Sequence, residues 1–303
     1  VKHDDKSYQY SSVSVDLNPE LGIAEITILG PTDDVPNDIN QMLLEGDRFW
    51  PLRVARELDD AILQLRFNEL EIGVIVFKSM GSSAEVAKYC NFLQENKDHW
   101  LAREIVFYWT RVLKRIDLTS RSLISLITPD SCFAGFLAEI IFASDRSFMC
   151  EDVFEEFGDL EASIILTSSN FGSHPMCNNL TRLATRFIGQ PEMIEDIELN
   201  VGRPILAEKA DALGLVSMSC DDIDWDDEVR LFLEERTSFS PDALTAMEAN
   251  TRFAGPETME TKIFGRLSAW QNWIFQRPNA VGGKGALKLY GTGKRADFDR
   301  KRV

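Results

Sequence analysis

Residues 122–145 read SLISLITPDSCFAGFLAEIIFASD, and this stretch decides the fold class. Its first six residues are rich in Leu and Ile, which indicates a buried strand. A tight connection follows, and the chain then predicts a helix that is apolar on all sides except at Glu139. A buried strand joined to a buried helix is the repeating unit of α/β proteins, so we expect a sheet covered by helices.

The composition is that of a globular protein with a large core. Of the 303 residues, 44% are apolar and 27% are charged, and no apolar run is long enough to span a bilayer. The net charge of −17 disfavours binding to nucleic acid or to an anionic membrane. The first seven residues, VKHDDKS, lack the apolar segment of a secretion signal, so we expect a cytoplasmic location.

Cysteine and histidine are too sparse for a disulfide framework or a metal centre. The five cysteines are scattered, odd in number and without C-x-x-C spacing, which predicts reduced thiols. The three histidines, His3, His99 and His174, form no H-x-x-x-H pair. We therefore expect no metal site and no histidine-activated nucleophile.

Basic residues concentrate at the end of the chain. Residues 277–303 hold eight basic and two acidic side chains, which gives +6 there and −23 for residues 1–276. Such a tail could contact an anionic cofactor or an acidic partner surface. Pairing with the protein's own carboxylates is the interpretation that we favour.

The hydrophobic periodicity predicts two kinds of region. Besides the strand at 122–127, predicted strands lie at 10–17, 23–29, 71–78 and 162–166, and predicted helices at 51–68, 84–96, 100–116, 179–187 and 207–213. Further helices are predicted at 225–235, 241–251 and 258–275. We therefore predict an α/β module with right-handed crossovers over residues 1–220 and an all-helical region over residues 221–303.

Four motifs in the correct order resemble the crotonase (enoyl-CoA hydratase) superfamily. The 122–145 stretch keeps a Glu and, six residues later, an Asp, as in the family's oxyanion segment. The other motifs are the crossover helix and strand at 55–65 and 73–77, the loop and helix NFGSHP and TRL at 170–175 and 181–183, and AEKADALGLV at 207–216. The resemblance implies a ClpP/crotonase-type core of ββα repeats with a helical C-terminal extension.

The end of the chain resembles one branch of that superfamily, the ring-cleaving benzoyl-CoA-dihydrodiol lyases. The resemblance is carried by GRLSAWQNWIFQRPNAVG at 265–282 and GALKLYG at 285–291, with support from 222–227, 240–245 and 255–259. It covers the chain but only the C-terminal half of those enzymes, whose N-terminal half is a crotonase module with an intact glycine triplet. The implied partners are that module and a second copy of the enzyme, and the only implied cofactor is the coenzyme A carried by the substrate.

The implied reaction is an oxygen-independent ring cleavage in aerobic benzoate degradation. The substrate would be 2,3-dihydro-2,3-dihydroxybenzoyl-CoA, and the products an open-chain semialdehyde-CoA and formate. Two alternatives remain open from the residues. One is an independent enoyl-CoA hydratase or isomerase, and the other is a non-catalytic assembly module that binds another subunit.

The resemblance assigns candidate residues to a thioester oxyanion hole. In the family, two backbone N–H groups stabilise the enolate oxygen, each worth about 3 kcal/mol of barrier. The glycine triplet that carries one donor is replaced by Gly135, Phe136 and Leu137, so the donor would be the Phe136 amide. The other donor follows the strand at 71–78, where the small residues Gly81, Ser82 and Ser83 remain and Gly81 is the candidate. We expect the Phe136 ring to occupy the space in which a thioester would lie.

Three side chains are candidates for proton transfer. Glu139 holds the family's first carboxylate position and could act as an acid or base, or could form a structural ion pair with Arg146 or Arg182. Ser168 stands at the second carboxylate position, where a hydroxyl without a base cannot transfer protons. Glu257 lies at a predicted helix start, where we expect a capping role, with entry into a neighbouring pocket as the alternative.

An aromatic stripe marks the last long predicted helix. Phe264, Leu267, Trp270, Trp273 and Ile274 fall on one face of it. Such a stripe is more typical of a core or an interface than of a ligand-binding platform.

Overall fold

The computed structural model describes residues 2–4, 6–152, 158 and 160–302. Its centre is an eight-stranded mixed sheet with the order β1-β2-β3-β4-β5-β6-β7-β10, while β8 and β9 form a separate two-stranded sheet. Strands β1 to β4 are antiparallel, and from β4 to β10 neighbouring strands are parallel. The strands are β1 (Lys2–His3), β2 (Ser7–Gln9), β3 (Val13–Asn18), β4 (Ile23–Leu29), β5 (Val74–Met80), β6 (Ser122–Ile127), β7 (Arg146–Cys150), β8 (Ser163–Ile165), β9 (Pro204–Leu206) and β10 (Met218–Cys220).

Helices connect the parallel strands and make up the end of the chain. They are α1 (Ile39–Glu45), α2 (Trp50–Asn68), α3 (Ser83–Glu95), α4 (Trp100–Asp117), α5 (Ala138–Ala143), α6 (Arg182–Arg186), α7 (Met193–Glu198), α8 (Ala207–Ala212), α9 (Asp222–Ser238), α10 (Pro241–Arg252), α11 (Ser268–Ile274), α12 (Pro278–Val281) and α13 (Ala286–Leu289). Short 3-10 helices lie at Gly46–Arg48 and Ser168–Phe171, and a π-helical segment at Thr261–Leu267 leads directly into α11.

The core lies between the sheet and the helices that cover it. All six residues of β6 are buried, as are Val74 to Phe77 of β5, which fits strands covered on both faces. Helices α2 and α4 pack against each other, and the indole N–H of Trp109 on α4 donates to the Pro51 carbonyl on α2 at 2.9 Å. This hydrogen bond satisfies the one polar atom of a fully buried tryptophan.

The predicted order of strands and helices is confirmed, and several boundaries move for local reasons. The first long strand begins at Val13 rather than at residue 10, because the chain bends at residues 11–12 and the Tyr10 amide bonds to the Val13 carbonyl. The helix predicted at 179–187 spans only Arg182–Arg186. Asn179 has a φ of +64°, which is incompatible with a right-handed helix, and Thr181 caps the helix instead.

Two buried contacts, an ion pair and a hydrogen bond, attach α10 to the sheet. On α10, Arg252 forms a bidentate pair with Asp145, with distances of 2.9 and 2.5 Å, and it also donates to backbone carbonyls at the end of α4 and the start of β6. Glu248, one turn earlier, accepts a hydrogen bond from the Ser122 hydroxyl on β6. Asp145, which holds the family's Asp position, therefore anchors α10. Its Oδ2 atom also accepts from the Leu123 amide.

Candidate active site

The connection between β6 and α5 turns sharply at Gly135. This residue has a φ of +49°, in the left-handed region that glycine tolerates. A Cβ atom there would lie 2.2 Å from the Sγ atom of Cys90 and 3.2 Å from the hydroxyl oxygen of Thr167. The Gly135 amide donates to the Ile165 carbonyl at 3.0 Å. Both the backbone angle and the packing therefore require glycine at this position.

The side chain of Phe136 closes this turn from inside the protein. Its ring stacks on Trp109 with a centroid distance of 4.2 Å and packs against Trp50 at 5.7 Å, and the residue is only 2% exposed. The Phe136 amide, which the resemblance assigns to the oxyanion hole, comes directly after the close approach of Gly135 to the Cys90 side chain. Burial raises the pKa of Cys90 to about 12, so the thiol stays protonated. No water-sized cavity lies beside the ring among the described residues.

Gly81, the candidate second donor, is also engaged within the protein. Its amide donates to the Asp130 carbonyl at 2.8 Å, which ties the end of β5 to the loop after β6. With a φ of +141° and a hypothetical Cβ 3.1 Å from the Cα of Gly30, the position favours glycine for packing reasons. Gly81 thus lies at the end of β5 with an internal acceptor for its amide, and Phe136 lies in the connection between β6 and α5.

Glu139 lies in a buried network of charged and polar side chains. Its Oε1 atom accepts from the Asn170 amide at 2.7 Å, and its Oε2 atom pairs with Arg182 at 3.0 Å. Burial raises the pKa of Glu139, and the nearby Arg182 and Asn170 oppose that rise. Of the two arginines considered from the sequence, Arg182 is the one that contacts Glu139. In the structure, Glu139 therefore forms an ion pair, which was one of the two roles considered for it, and its partner is Arg182.

Arg182 bridges two buried carboxylates. It binds Asp117 at the end of α4 through two parallel hydrogen bonds of 3.0 and 2.7 Å, and it also donates to the His174 carbonyl at 3.0 Å. The side chains of Arg182, Asp117 and Glu139 are each about 1% exposed. Bidentate arginine–carboxylate pairs are among the strongest side-chain hydrogen bonds, so this cluster fixes α4, α5 and α6 to one another.

Ser168 does not join this network. It is exposed at the first position of its 3-10 helix, while Asn170, two residues later, is buried and reaches Glu139. Asn170 also accepts from the Thr167 amide at 2.9 Å, which completes a capping box with that residue. The sequence interpretation missed Asn170, because its position in the motif is not one of the family's carboxylate positions.

His174 contributes a neutral group beside the charged cluster. It is 3% exposed, and its Nδ1 atom lies 3.2 Å from the Thr110 hydroxyl. Burial, with a smaller contribution from Arg182, lowers the pKa of His174 to about 3. The imidazole is therefore uncharged at neutral pH.

Glu257 lies far along the chain from this cluster, and its partner is Arg266. The two form an ion pair at 2.9 Å. The capping role predicted for Glu257 belongs to its neighbour, since the Thr258 hydroxyl accepts from the Thr261 amide at 3.3 Å. Arg266 also donates to the carbonyls of Asn250 and Phe253, so the Glu257 pair holds the start of the last long helix against the end of α10.

The predicted aromatic stripe is divided between two environments. Trp270 and Trp273 are half-buried and meet edge to face, with ring centroids 5.4 Å apart. Phe264 and Leu267 point away from the body and are 71% and 58% exposed. The stripe is therefore not a core element of this chain.

Part of the basic tail pairs with the protein's own carboxylates, as the favoured interpretation expected. Lys284 bonds to Asp297 at 2.6 Å, and Arg277 bonds to the buried Asp242 at 3.0 Å. Arg302 is buried against carbonyl groups of Gly73 and neighbouring turns. Exposed cations remain at Lys262, Lys288, Lys294, Arg295 and Lys301.

A groove with a volume of about 810 Å³ lies between α9 and strands β3 to β6, and none of the predicted site residues line it. Within the described ranges, no three His, Cys, Asp or Glu side chains come close enough together to hold a metal ion. No helix of the described chain has the length and apolar character needed to cross a bilayer.

Comparison with solved structures identifies the architecture. The chain superposes on an enoyl-CoA hydratase of Geobacillus kaustophilus HTA426 with a TM-score of 0.67 and 18% identity, covering 97% of this chain and 98% of the other. An enoyl-CoA hydratase of Bacillus anthracis gives a TM-score of 0.65 at 16% identity, covering 96% and 100% of the two chains. The chain therefore has the crotonase fold, with its helical C-terminal part compatible with that architecture.

Comparison of sequences gives a more specific relative. The chain is 44% identical over 300 residues to the benzoyl-CoA-dihydrodiol lyase of Aromatoleum evansii, and the match covers 99% of this chain but 53% of that protein. The chain thus spans about half the length of this relative. No protein-family model matches the chain.

Proposed function

We propose that this chain is one module of a benzoyl-CoA-dihydrodiol lyase, and specifically the C-terminal half of such an enzyme. The observation that carries the proposal is the 44% identity to the Aromatoleum evansii lyase over 99% of this chain. The crotonase fold supports it, because proteins of this fold that are similar to the chain are described as enoyl-CoA hydratases. The substrate of the assembled enzyme would accordingly be a CoA thioester.

The proposed reaction is cleavage of the ring of 2,3-dihydro-2,3-dihydroxybenzoyl-CoA. It would yield an open-chain semialdehyde-CoA and formate, which makes the assembled enzyme a carbon–carbon lyase of aromatic catabolism. Coenzyme A would enter as part of the substrate, and the proposal requires no other cofactor. A cytoplasmic location and a homo-oligomeric assembly are parts of the same proposal.

Within that assembly this module would have a supporting role rather than a complete active site. Three features favour this division of labour. The Phe136 ring is buried against Trp109, the Gly81 amide donates to the Asp130 carbonyl, and Glu139 is held by Asn170 and Arg182. An oxyanion hole must present its donors to the ligand, so we assign the chemistry to the module that this chain does not match.

The closed turn also bears on the two alternatives. An independent enoyl-CoA hydratase or isomerase would need an accessible donor pair and a second carboxylate, whereas Ser168 stands at that second position and is exposed. A purely non-catalytic assembly module fits the closed turn equally well. It differs from the main proposal in what the complete protein does, which can be measured directly.

Titration of the chain with benzoyl-CoA in a calorimeter tests the first alternative. We expect no binding, or binding no tighter than millimolar, since the turn is filled by Phe136. Micromolar binding would contradict the supporting role and favour an independent enzyme. The matched ligand is free coenzyme A, which separates recognition of the acyl group from recognition of the nucleotide.

Formate release tests the main proposal. We expect the chain alone to release no formate from the dihydrodiol thioester. The full-length Aromatoleum evansii lyase, with its matched 53% replaced by this chain, should release it. A folded chimera that binds the substrate but releases no formate would refute the proposed function.

A further inference from the structure

A polar cavity of about 390 Å³ lies at the end of the central sheet opposite to the turn at Phe136. It is lined by Gly22 and Gly73, which directly precede β4 and β5, by the end of α9, and by the tail at 295–302. The turn at Phe136 follows β6, which runs parallel to β5. Because the seven residues of β5 span about 20 Å, the cavity and the turn are separate places in the molecule. We call this space the tail cavity.

Four guanidinium groups line the tail cavity. They belong to Arg236 at the end of α9 and to Arg295, Arg300 and Arg302 in the tail. Within the described ranges, the one ion pair formed by any of them joins Arg236 to Glu248 at 3.9 Å, which is longer than a hydrogen bond. The cavity therefore gathers cations that the protein itself leaves largely unpaired.

The carboxylates that line the tail cavity neutralise little of this charge. Glu234 pairs with Arg230 at 3.1 Å and Asp297 pairs with Lys284 at 2.6 Å, and neither of these two cations lines the cavity. The third carboxylate, Glu71, is exposed and forms no ion pair within the part of the chain that the structure describes. Four guanidinium groups thus share the cavity with a single unpaired carboxylate, in a chain whose net charge is −17.

Arg302 is the buried member of the four. It is 6% exposed, and its Nη1 and Nη2 atoms donate to the carbonyls of Pro241 and Gly73 at 3.1 and 3.0 Å. Among the described residues, its Nε atom has no acceptor, and the same holds for the Nε atom of Arg236. Burial lowers the pKa of Arg302. A buried guanidinium without a carboxylate partner carries a desolvation cost, and an anion beside it would reduce that cost.

Backbone contacts hold the tail arginines in place at the sheet. The Arg302 amide donates to the Leu70 carbonyl at 2.8 Å, and the Arg300 Nη1 atom donates to the Glu20 carbonyl at 2.8 Å. A guanidinium carries five N–H groups, so Arg300 keeps donors beyond the one that this contact uses. Its planar fork matches the oxygen atoms of phosphate and carboxylate groups.

We propose that the tail cavity binds a small anion through a phosphoryl group. The excess of guanidinium groups favours a doubly charged ligand over a singly charged one. A phosphoryl group presents three terminal oxygens and can accept from α9 and the tail at once, whereas a carboxylate presents two oxygens in one plane. The volume suits a small molecule. The proposal does not depend on the proposed function, and its tests require no turnover.

Calorimetric titration of the chain with inorganic phosphate tests the site, with sodium chloride at equal ionic strength as the reference. We expect saturable binding with a dissociation constant below about 1 mM. The variant Arg295→Gln/Arg300→Gln changes two exposed side chains and should bind phosphate at least tenfold more weakly. The control Lys288→Gln/Lys294→Gln removes the same charge from exposed tail positions outside the cavity, and should bind within twofold of the unmodified chain. Absence of saturable binding, or equal weakening by both variants, overturns the proposal.

Protection from an arginine reagent tests the same site without any substitution. The chain is modified with phenylglyoxal in the presence and absence of saturating phosphate, and each arginine is followed by mass spectrometry. We expect phosphate to slow the modification of Arg295 and Arg300 at least fivefold, and to leave the exposed Arg203 unchanged. Equal slowing at all three positions, or at none, would contradict a localised site.

The source of the phosphoryl group is resolved by comparing ligands. Glycerol 3-phosphate that binds at least tenfold more tightly than inorganic phosphate would identify a phosphate ester as the ligand, and equal binding would identify free phosphate. Either result supports the site. Formate or benzoate that binds as tightly as phosphate would refute the phosphoryl assignment, because the cavity would then accept any carboxylate.

Discussion

The turn at Phe136 and the helix at 259–274 both carry aromatic side chains, and the protein uses them in opposite ways. Phe136 is 2% exposed between two tryptophans, whereas Phe264 is 71% exposed. In the first region, an aromatic ring fills the turn between β6 and α5. In the second, an aromatic ring of the last long helix faces solvent. The filled turn is what the proposed supporting role predicts, since that role needs no ligand site in this chain.

The largest change in stability should come from breaking the buried cluster of Arg182, Asp117 and Glu139. Replacing Arg182 by Leu leaves Glu139 and Asp117 buried without their common cation, and we expect the free energy of unfolding to fall by about 3–5 kcal/mol. Urea denaturation gives this value. The matched control is Arg230→Leu, which breaks an exposed pair on α9 and should leave the unfolding midpoint unchanged. Equal midpoints for all three proteins would show that the cluster contributes no net stability.

A direct comparison of the two aromatic regions comes next in size. Phe136→Ala removes a ring that packs against Trp50 and Trp109, and should lower the free energy of unfolding by about 3–4 kcal/mol. Phe264→Ala, on the exposed side of the last long helix, should change the free energy of unfolding by less than about 0.5 kcal/mol. Thermal and urea unfolding of the isolated chain measure both. Similar losses at the two positions would remove the distinction between them.

The loss of stability at low pH should depend in part on His174, which lies beside the charged cluster. Its folded-state pKa of about 3 lies below the ordinary value of 6.5. Between these values the unfolded chain binds a proton that the folded chain does not. The contribution of His174 to the free energy of unfolding is therefore complete above pH 6.5. It is lost as the pH falls, by about 1.4 kcal/mol per pH unit between roughly pH 6 and pH 4. His174→Asn keeps a polar group without the titration, so urea unfolding at several pH values should show a slope smaller by this amount. An unchanged slope would contradict the buried, neutral histidine.

The smallest effect is expected for Glu139 in the assembled enzyme. Because Asn170 and Arg182 occupy both of its oxygens, Glu139→Gln in the formate-releasing chimera should lower turnover by less than tenfold. A steady-state assay of formate release measures it, with Glu257→Gln as a second carboxamide substitution outside the cluster. A loss above a thousandfold at Glu139 would assign it a role in proton transfer and reverse the interpretation of this region.

Much of the fold could be predicted from the sequence because its signals are local. The buried strands β5 and β6 and the amphipathic helices α2 and α4 follow from apolar runs and helical spacing. Short elements such as β7, β10 and α7 were missed, since three to six residues carry too little periodicity to identify. The division of the chain at residue 220 stays a prediction, because α9 and α10 both pack on the central sheet.

The candidate site was less accessible to sequence reasoning, because its contacts join distant parts of the chain. The resemblance pointed to Phe136 and Glu139, and chemistry suggested Arg182 as a partner. Nothing in the sequence indicated that the Cys90 side chain would pack against Gly135, 45 residues later in the chain. Likewise, Asn170 reaches Glu139 only because the 3-10 helix after β8 turns it inward. Such pairings depend on tertiary packing, which periodicity does not encode.

The close approach of Gly135 and Cys90 restricts the substitutions that this turn can accept. Any side chain at position 135 would meet the Sγ atom of Cys90, and a smaller residue at position 136 would leave a gap between Trp50 and Trp109. A change that opens space at this turn therefore removes packing from the core. Stability and access for a ligand are opposed at this position.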